Sequence, residues 1–401
     1  MQAGRRGGWA AALCFATAGK GTGAVVSSAM GRGPGNRAAN KEGETSEPLL
    51  RKLAMELHGA IRFWLRPIIT ELFSPGSILS IYSLTTTFCV AVLALAYRHR
   101  ARRGHANIRA IGRAIFNLRL LQHESFYADV KLVILSVIIA PPLFASLVLS
   151  SNAVSVVVSS ALKSSFGPLW PLAGHDATMR AISTLVLFVA YEVGYFVDHY
   201  LKHRVPFLWE LHKVHHTAEV LTPLTNYRNH PVDNLIFGYM LSIFIGGASG
   251  VLAWMFDRRI DIISVDGKNI IFLIFLWTIG HLQHSQFWIP FGGIWGRVFM
   301  SPAHHQIHHS DDPKHFNRNL GSVLAIWDWM AGTLEMPTTE NPRLSYGVRE
   351  ERRNAHSWAG FLVTPLVGAG SALGRALVSI RRSYLSTQNL RADGRQATDP
   401  T

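Results

Sequence analysis

The chain has 401 residues, enough for two or three soluble domains, but 48% of them are hydrophobic and only 16% charged, with mean hydropathy at +0.17. That balance argues against a soluble protein and for an integral membrane one. Lys and Arg outnumber Asp and Glu by 39 to 25, yet the arginines sit between apolar runs instead of forming a basic domain, so an anionic membrane surface is expected and no nucleic-acid partner.

Residues 1 to about 50 are rich in Gly, Ala, Arg and Ser without periodicity and read as a disordered or over-long start. The pair Arg5-Arg6 and the run from Trp9 to Ala16 match an export signal only faintly, because the apolar stretch is short and interrupted. The first spanning candidate runs from Ile78 to Tyr97, about twenty uncharged residues, which at ~1.5 Å per residue match a ~30 Å hydrocarbon core. Arg98, Arg100, Arg102, Arg103, Arg109 and Arg113 follow it and mark that side as cytoplasmic. A second span, Leu132 to Ser150, returns outward to a loop from Ser151 to Thr178 that contains one Lys and no Arg. Ala181 to Val197 goes back in. Leu235 to Met255 and Ile270 to Gly280 form another pair, the second member short unless it reaches back to about Ile262. Trp288, Phe291, Trp295 and Phe299 lie among glycines in a segment suited to the membrane interface or to ordinary aromatic packing. Trp358 to Ile380 is apolar but holds Arg375 and four glycines, so a peripheral helix is expected there instead of a span. The fold class is therefore an all-α integral membrane protein, with about four to five transmembrane helices in hairpins and a cytoplasmic histidine-rich helical cap.

Cys14 and Cys89 lie far apart, which leaves neither a disulfide framework nor a CxxC site. The chemistry rests on 19 histidines. Three clusters dominate: His199 and His203 in DHYLKH, His212, His215 and His216 in HKVHH, and His305, His308 and His309 in HQIHH. On a helix, positions i, i+3 and i+4 share a face, so each cluster is expected to aim two or three imidazoles at one point. Eight imidazoles exceed the needs of one ion, and no HExxH zinc helix is present. Two ions with about four nitrogens each would use them all, and imidazole suits iron as well as zinc or copper. Since only a redox metal activates dioxygen, iron acting on a lipid is the leading interpretation. His284, with His281 as its alternative, could complete a shell. His230 reads as a cap at least as readily as a ligand, and His304 is out of phase with its neighbours. Glu192, an ionisable group inside an apolar run, falls on the stripe of His199 and His203 and is the candidate catalytic residue, fixing a ligand's second nitrogen or else pairing with a base on another helix. Asp198, Asp311, Asp312 and Asp328 are further candidate acceptors.

With the boxes in this order, the chain resembles the sterol desaturase and fatty acid hydroxylase superfamily of membrane di-iron oxidoreductases. The resemblance rests on FLWELHKVHHTAEVLTPLTNYRNHPVD (Phe207 to Asp233), SPAHHQIHH (Ser301 to His309) and NRNLGSVLAIWDWMAGTL (Asn317 to Leu334). It covers roughly Ala181 to Leu334, leaving 51–180 as an N-terminal membrane region and 335–401 as a peripheral segment and tail. The family's usual Asn-Tyr-Gly reads Asn319-Leu320-Gly321 here. The resemblance implies that the eight boxed histidines are iron ligands, with His284 matching a lone histidine between the later boxes. It also implies two non-haem iron ions, O2 as co-substrate, a sterol or fatty-acyl lipid as substrate, and hydroxylation or desaturation as the reaction. No fused donor is visible, so a separate cytochrome b5, ferredoxin or similar donor is expected at the basic face. A membrane metal transporter or metal-binding protein is the alternative, and a zinc hydrolase is a weaker one.

Overall fold

Long uncharged runs cannot leave backbone amides unpaired in hydrocarbon, so they fold as helices that satisfy their own hydrogen bonds. The computed structural model describes residues 46–169, 176–351 and 354–396, almost entirely as helices with a single two-stranded hairpin, β1 Ser264–Val265 and β2 Lys268–Asn269. Arg5-Arg6 and Trp9 to Ala16 lie outside the described residues. Helix α1 (Ser46–Phe73) starts just inside the stretch expected to be irregular, and α2 (Ile81–Arg103) follows, capped by the Ser80 hydroxyl and ended by Gly104 in the left-handed conformation.

Among the described residues, five segments are long and apolar enough to cross a membrane: Ile81–Arg103, Glu124–Phe166, Asp176–Arg204, Pro231–Met255 and Trp358–Tyr384. Two of them revise the sequence reading. Ser151 to Phe166, expected within a loop, is helix α4, continuing the apolar path that begins in α3 (Glu124–Ile134). The path bends through a π-helical turn at Leu135–Ile139, a proline-led turn at Ala140–Phe144 and a break before Ser151. Helix α4 forms because its Ser151, Val154, Ser155 and Val158 press on Gly246 and Gly250 of the neighbouring helix, where any added Cβ would collide. The second revision is Trp358–Tyr384, which has span length and composition despite Arg375 and its glycines. Conversely, Ile270 to Gly280 does not reach back to Ile262, because the β1–β2 hairpin intervenes before α8 begins at Ile270.

Several helices position the site. Helix α5 (Asp176–Arg204) and α7 (Pro231–Met255) run antiparallel, with Met179 packed on Leu252 and Phe256 at one end and Tyr195 against Phe237 nearer the other. Between them, α6 (Pro206–His216) carries the second histidine box, and α8 (Ile270–Phe275) leads through a π-helical turn, Leu276–Gly280, to His281 and His284. Further short helices include α9 (Gly293–Val298), α10 (Pro302–His308) and α11 (Ile326–Ala331), and α12 (Thr364–Gln396) packs on α6. The basic end of α2 lies with these segments: the Arg98 guanidinium donates to the Trp288 carbonyl, and Arg102 pairs with Glu340.

Candidate metal centre

The folded chain gathers nine histidines from four places in the sequence. They divide into two groups among the described residues: His199, His203, His212, His216 and His308, and His215, His284, His305 and His309, with the ligand atoms of each group lying within 4.8 Å of one another. Each HxxHH box sends two of its three imidazoles to one group and the third to the other. Within a box the i and i+4 rings share a face, whereas the third points about 100° away. In α6, His212 and His216 enter the five-histidine group while His215 turns to the other. In α10 the roles exchange: His305 and His309 serve the four-histidine group and His308 the five.

In the four-histidine group, the Nε2 atom of His284 approaches those of His215, His309 and His305 at 3.2, 3.0 and 3.0 Å, and His309 approaches His305 at 3.2 Å. Two nitrogens bound at about 2.0–2.1 Å to one ion, at angles of about 90–110°, would lie ~2.9–3.4 Å apart. The spacing therefore fits a shared ion. In the five-histidine group the buried Nε2 atoms of all five members have no hydrogen-bond partner in the protein. Buried polar nitrogens are rarely left so, and metal coordination would satisfy them together.

The second nitrogen of three rings is fixed by the protein. His199 Nδ1 meets the Leu320 carbonyl at 2.8 Å, His308 Nδ1 the Arg318 carbonyl at 2.9 Å, and His212 Nδ1 the Asp233 carboxylate at 3.2 Å. Donating Nδ1–H in this way leaves Nε2 as the free base that a metal requires. Burial, reinforced by the surrounding imidazoles, pushes His284 and His308 down to about 3 and His215, His216, His305 and His309 well below the usual histidine range, so these rings are neutral near pH 7. Trp209 packs at ring-centroid distances of 5.2 and 5.3 Å from His203 and His216 and helps to screen the group.

Other candidates lie elsewhere. His281 is not in either group: its Nε2 meets the Ser83 hydroxyl at 3.2 Å, and the helical turn His281–Gln283 ends before His284. His304 forms a capping box with Ser301, and His230 caps α7 by accepting from the Val232 amide. Glu192 does not touch a histidine. Its carboxylate accepts from the Leu324 amide at 2.8 Å and the Val323 amide at 3.3 Å, so the expected direct contact with a ligand is replaced by an indirect one. Asp328 likewise accepts from the Leu320 and Gly321 amides at 2.8 and 2.7 Å. Two carboxylates thus hold the loop whose Leu320 carbonyl orients His199. Gly321 is required there, since a Cβ would meet the Leu324 carbonyl and lie 3.0 Å from Asp328 Oδ2. Asp198 pairs with Lys202, Asp311 with Arg349, and Asp312 caps the Lys314 amide.

Asp233 is the acceptor that the sequence reading missed. It is 2% exposed and also pairs at 2.8 Å with Lys202, itself buried and 2.7 Å from Asp198. Such a buried trio is costly to assemble and stands only with complete pairing. It ties the histidine ends of α5, α6 and α7 together.

The fatty acid hydroxylase family model matches residues 184–333, the stretch that supplies all nine histidines. That match places residues 184–333 in the sterol desaturase and fatty acid hydroxylase superfamily. Among similar curated proteins, the alkylglycerol monooxygenase of Caenorhabditis elegans is 26% identical over 38% of this chain and 27% of its own length. An ornithine lipid hydroxylase of Rhizobium tropici is 28% identical over 46% of this chain and 50% of its own, and human cholesterol 25-hydroxylase 30% over 37% and 50%. The chain thus spans about a quarter to a half of the length of these relatives. No solved structure matches significantly.

Proposed function

We propose that this chain is a membrane lipid hydroxylase or desaturase whose nine clustered histidines hold two iron ions. The observation that carries the reading is the division of nine imidazoles, eight buried and His203 half-buried, into two groups of ligand spacing. Relatives named for monooxygenation or hydroxylation of alkylglycerol, ornithine lipid and cholesterol support hydroxylation of a membrane lipid over desaturation. His199, His203, His212, His216 and His308 would hold one ion, and His215, His284, His305 and His309 the other.

When bound, two iron ions would supply the activation of dioxygen, with two external electrons, that breaking an unactivated C–H bond demands. The protein's own part is orientation and exclusion. Leu320, Arg318 and Asp233 keep three imidazoles in the tautomer that presents Nε2, and the Glu192 and Asp328 carboxylates keep the Leu320 carbonyl in place. Burial of the rings keeps bulk water from the reacting carbon. A separate acidic one-electron donor, of the cytochrome b5 or ferredoxin type, would approach the Arg-rich end of α2 on the cytoplasmic side. The transporter alternative rested on Glu192 as an ionisable group within a span, and that carboxylate is already engaged by backbone amides.

The test joins metal analysis to lipid mass spectrometry. Protein from iron-replete cells should carry close to two metal atoms per chain. Cells expressing it should accumulate a lipid with one added oxygen, or two fewer hydrogens, only when dioxygen is present. Product formed anaerobically, or full activity with one zinc and no iron, would overturn the proposal.

A further inference from the structure

A strip of exposed apolar side chains lies outside the five long apolar segments: Ile294, Trp295 and Phe299 around α9, and Trp329 and Met330 on α11, between 37% and 73% exposed. Trp295 stacks on Phe299 with ring centroids 6.0 Å apart, so the strip has a fixed shape. Patches of this kind on a water-facing surface invite association.

The depth of the strip is set by its backbone. The Val298–Met300 stretch pairs with Val323–Ala325: Met300 donates to the Val323 carbonyl at 2.8 Å, Ala325 donates to the Val298 carbonyl at 2.9 Å, and Phe299 bridges Leu324. The amides of Val323 and Leu324 are held in turn by Glu192, and the Ser322 hydroxyl lies 3.3 Å from that of Tyr191. Both partners lie inside the apolar segment Asp176–Arg204. Glu192 stands six residues before Asp198, the next charged side chain in that helix, which is about 9 Å along the axis. If Asp198 marks the furthest that hydrocarbon can extend, the loop and the two short helices beside it lie ~5–10 Å below the headgroups, the depth at which interfacial amphipathic helices rest. Lipid-facing side chains of α5, such as Leu185 and Val189, are exposed nearby along the same helix.

We infer that α9 and α11 are immersed in the acyl region of the leaflet adjoining the histidine cap, with Ile294, Trp295, Phe299, Trp329 and Met330 as the immersed surface. The occupant of this surface is lipid acyl chain, continuous with the lipid that surrounds α5. Exposed Arg297, on the same short helix, would extend its guanidinium outward to lipid phosphates while its stem stays among the chains. Immersion sinks the cap into the leaflet, so His199, seven residues beyond Glu192, stands near the headgroup boundary. The inference concerns the seating of the cap and holds whether or not the metal assignment does.

The experiment uses the full chain in phospholipid nanodiscs with Cys14 and Cys89 replaced by serine. Nitroxide labels at Trp295→Cys and Met330→Cys are compared with one at exposed Thr339→Cys, measuring collision with dissolved oxygen, which concentrates in hydrocarbon, and with a water-soluble nickel chelate. Oxygen should dominate at the first two positions and nickel at the third. Nickel dominance at both 295 and 330 overturns the inference. A parallel measurement on the unsubstituted protein guards against disturbed folding: a diazirine reagent dissolved in the acyl region should label the peptides containing 293–299 and 326–331. Their remaining unlabelled while α5 peptides react would also overturn it.

Discussion

Glu192→Gln tests the link from a buried carboxylate to a metal ligand. Glu192 is 0% exposed, and its two oxygens accept from the Leu324 amide at 2.8 Å and from the Val323 amide at 3.3 Å from each oxygen. Glutamine keeps one oxygen and turns an NH2 group toward the other donor. The change removes a charge-assisted bond, about 1.5–3 kcal/mol, and leaves one buried amide unpaired, about 1–3 kcal/mol. A loss of ~3–5 kcal/mol is therefore expected, felt first in the 320–324 loop. That loop holds the Leu320 carbonyl on His199 Nδ1 at 2.8 Å, and loosening such an outer partner weakens metal affinity roughly 10–100-fold. Competition titration with a chromogenic chelator should find one of the two metals released about 10–100-fold more readily, with a lower thermal midpoint in detergent. Wild-type affinity and midpoint would refute the linkage. Full metal content with poor turnover would instead return Glu192 to the direct role that its position on the sequence suggested.

Further outcomes follow from the same contacts. His212→Ala, His216→Ala and His308→Ala should each abolish product while the protein still inserts, with metal content falling from two per chain toward one; His281→Ala and His304→Ala should keep both metals, and loss of a metal in either would redraw the groups. Arg228, fully buried, pairs with Asp129 at 2.8 Å and donates to Val214, Ser125, Thr217 and Ala355, so Arg228→Met should strand Asp129 and destabilise by about 3–5 kcal/mol. Burial holds that guanidinium below its usual range and Asp129 draws it back, so the pair stands or falls together; an undiminished monodisperse yield from detergent would contradict this. Thiol labelling at Thr339→Cys should occur from the cytoplasmic side and at Ser165→Cys from the opposite side, and labelling of both from one side would reject the proposed orientation.

The histidine boxes were legible because helical phase is a property of spacing alone. The same rule also sets how each box divides. Two adjacent histidines cannot point at the same ion from one helix, so His215 and His216, like His308 and His309, must part company. The hydrophobic spans of α2, α5 and α7 were legible from length and charge, whereas α4 was not. Its serines and valines form a helix against Gly246 and Gly250, and that partner is nearly a hundred residues away in the chain.

The outer contacts of the metal groups were the least legible, for a physical reason. Two of the three fixed imidazoles lean on backbone carbonyls, Arg318 and Leu320, and every residue has a carbonyl. What aims these two is the left-handed conformation of Asn317 and Asn319, with φ of 59° and 55° on either side of Arg318. Asparagine adopts that conformation more readily than most residues, so the mark in the sequence was the alternation of Asn317 and Asn319, and not the tyrosine that the family places beside Gly321. Asn319 is further fixed, donating to the His304 and Glu335 carbonyls at 3.0 and 2.9 Å and accepting from the Glu335 amide at 2.8 Å. Leucine at 320 therefore disturbs nothing that the site needs: its contribution is the main-chain oxygen, which any side chain supplies once the asparagines, Asp328 and Glu192 have set the backbone.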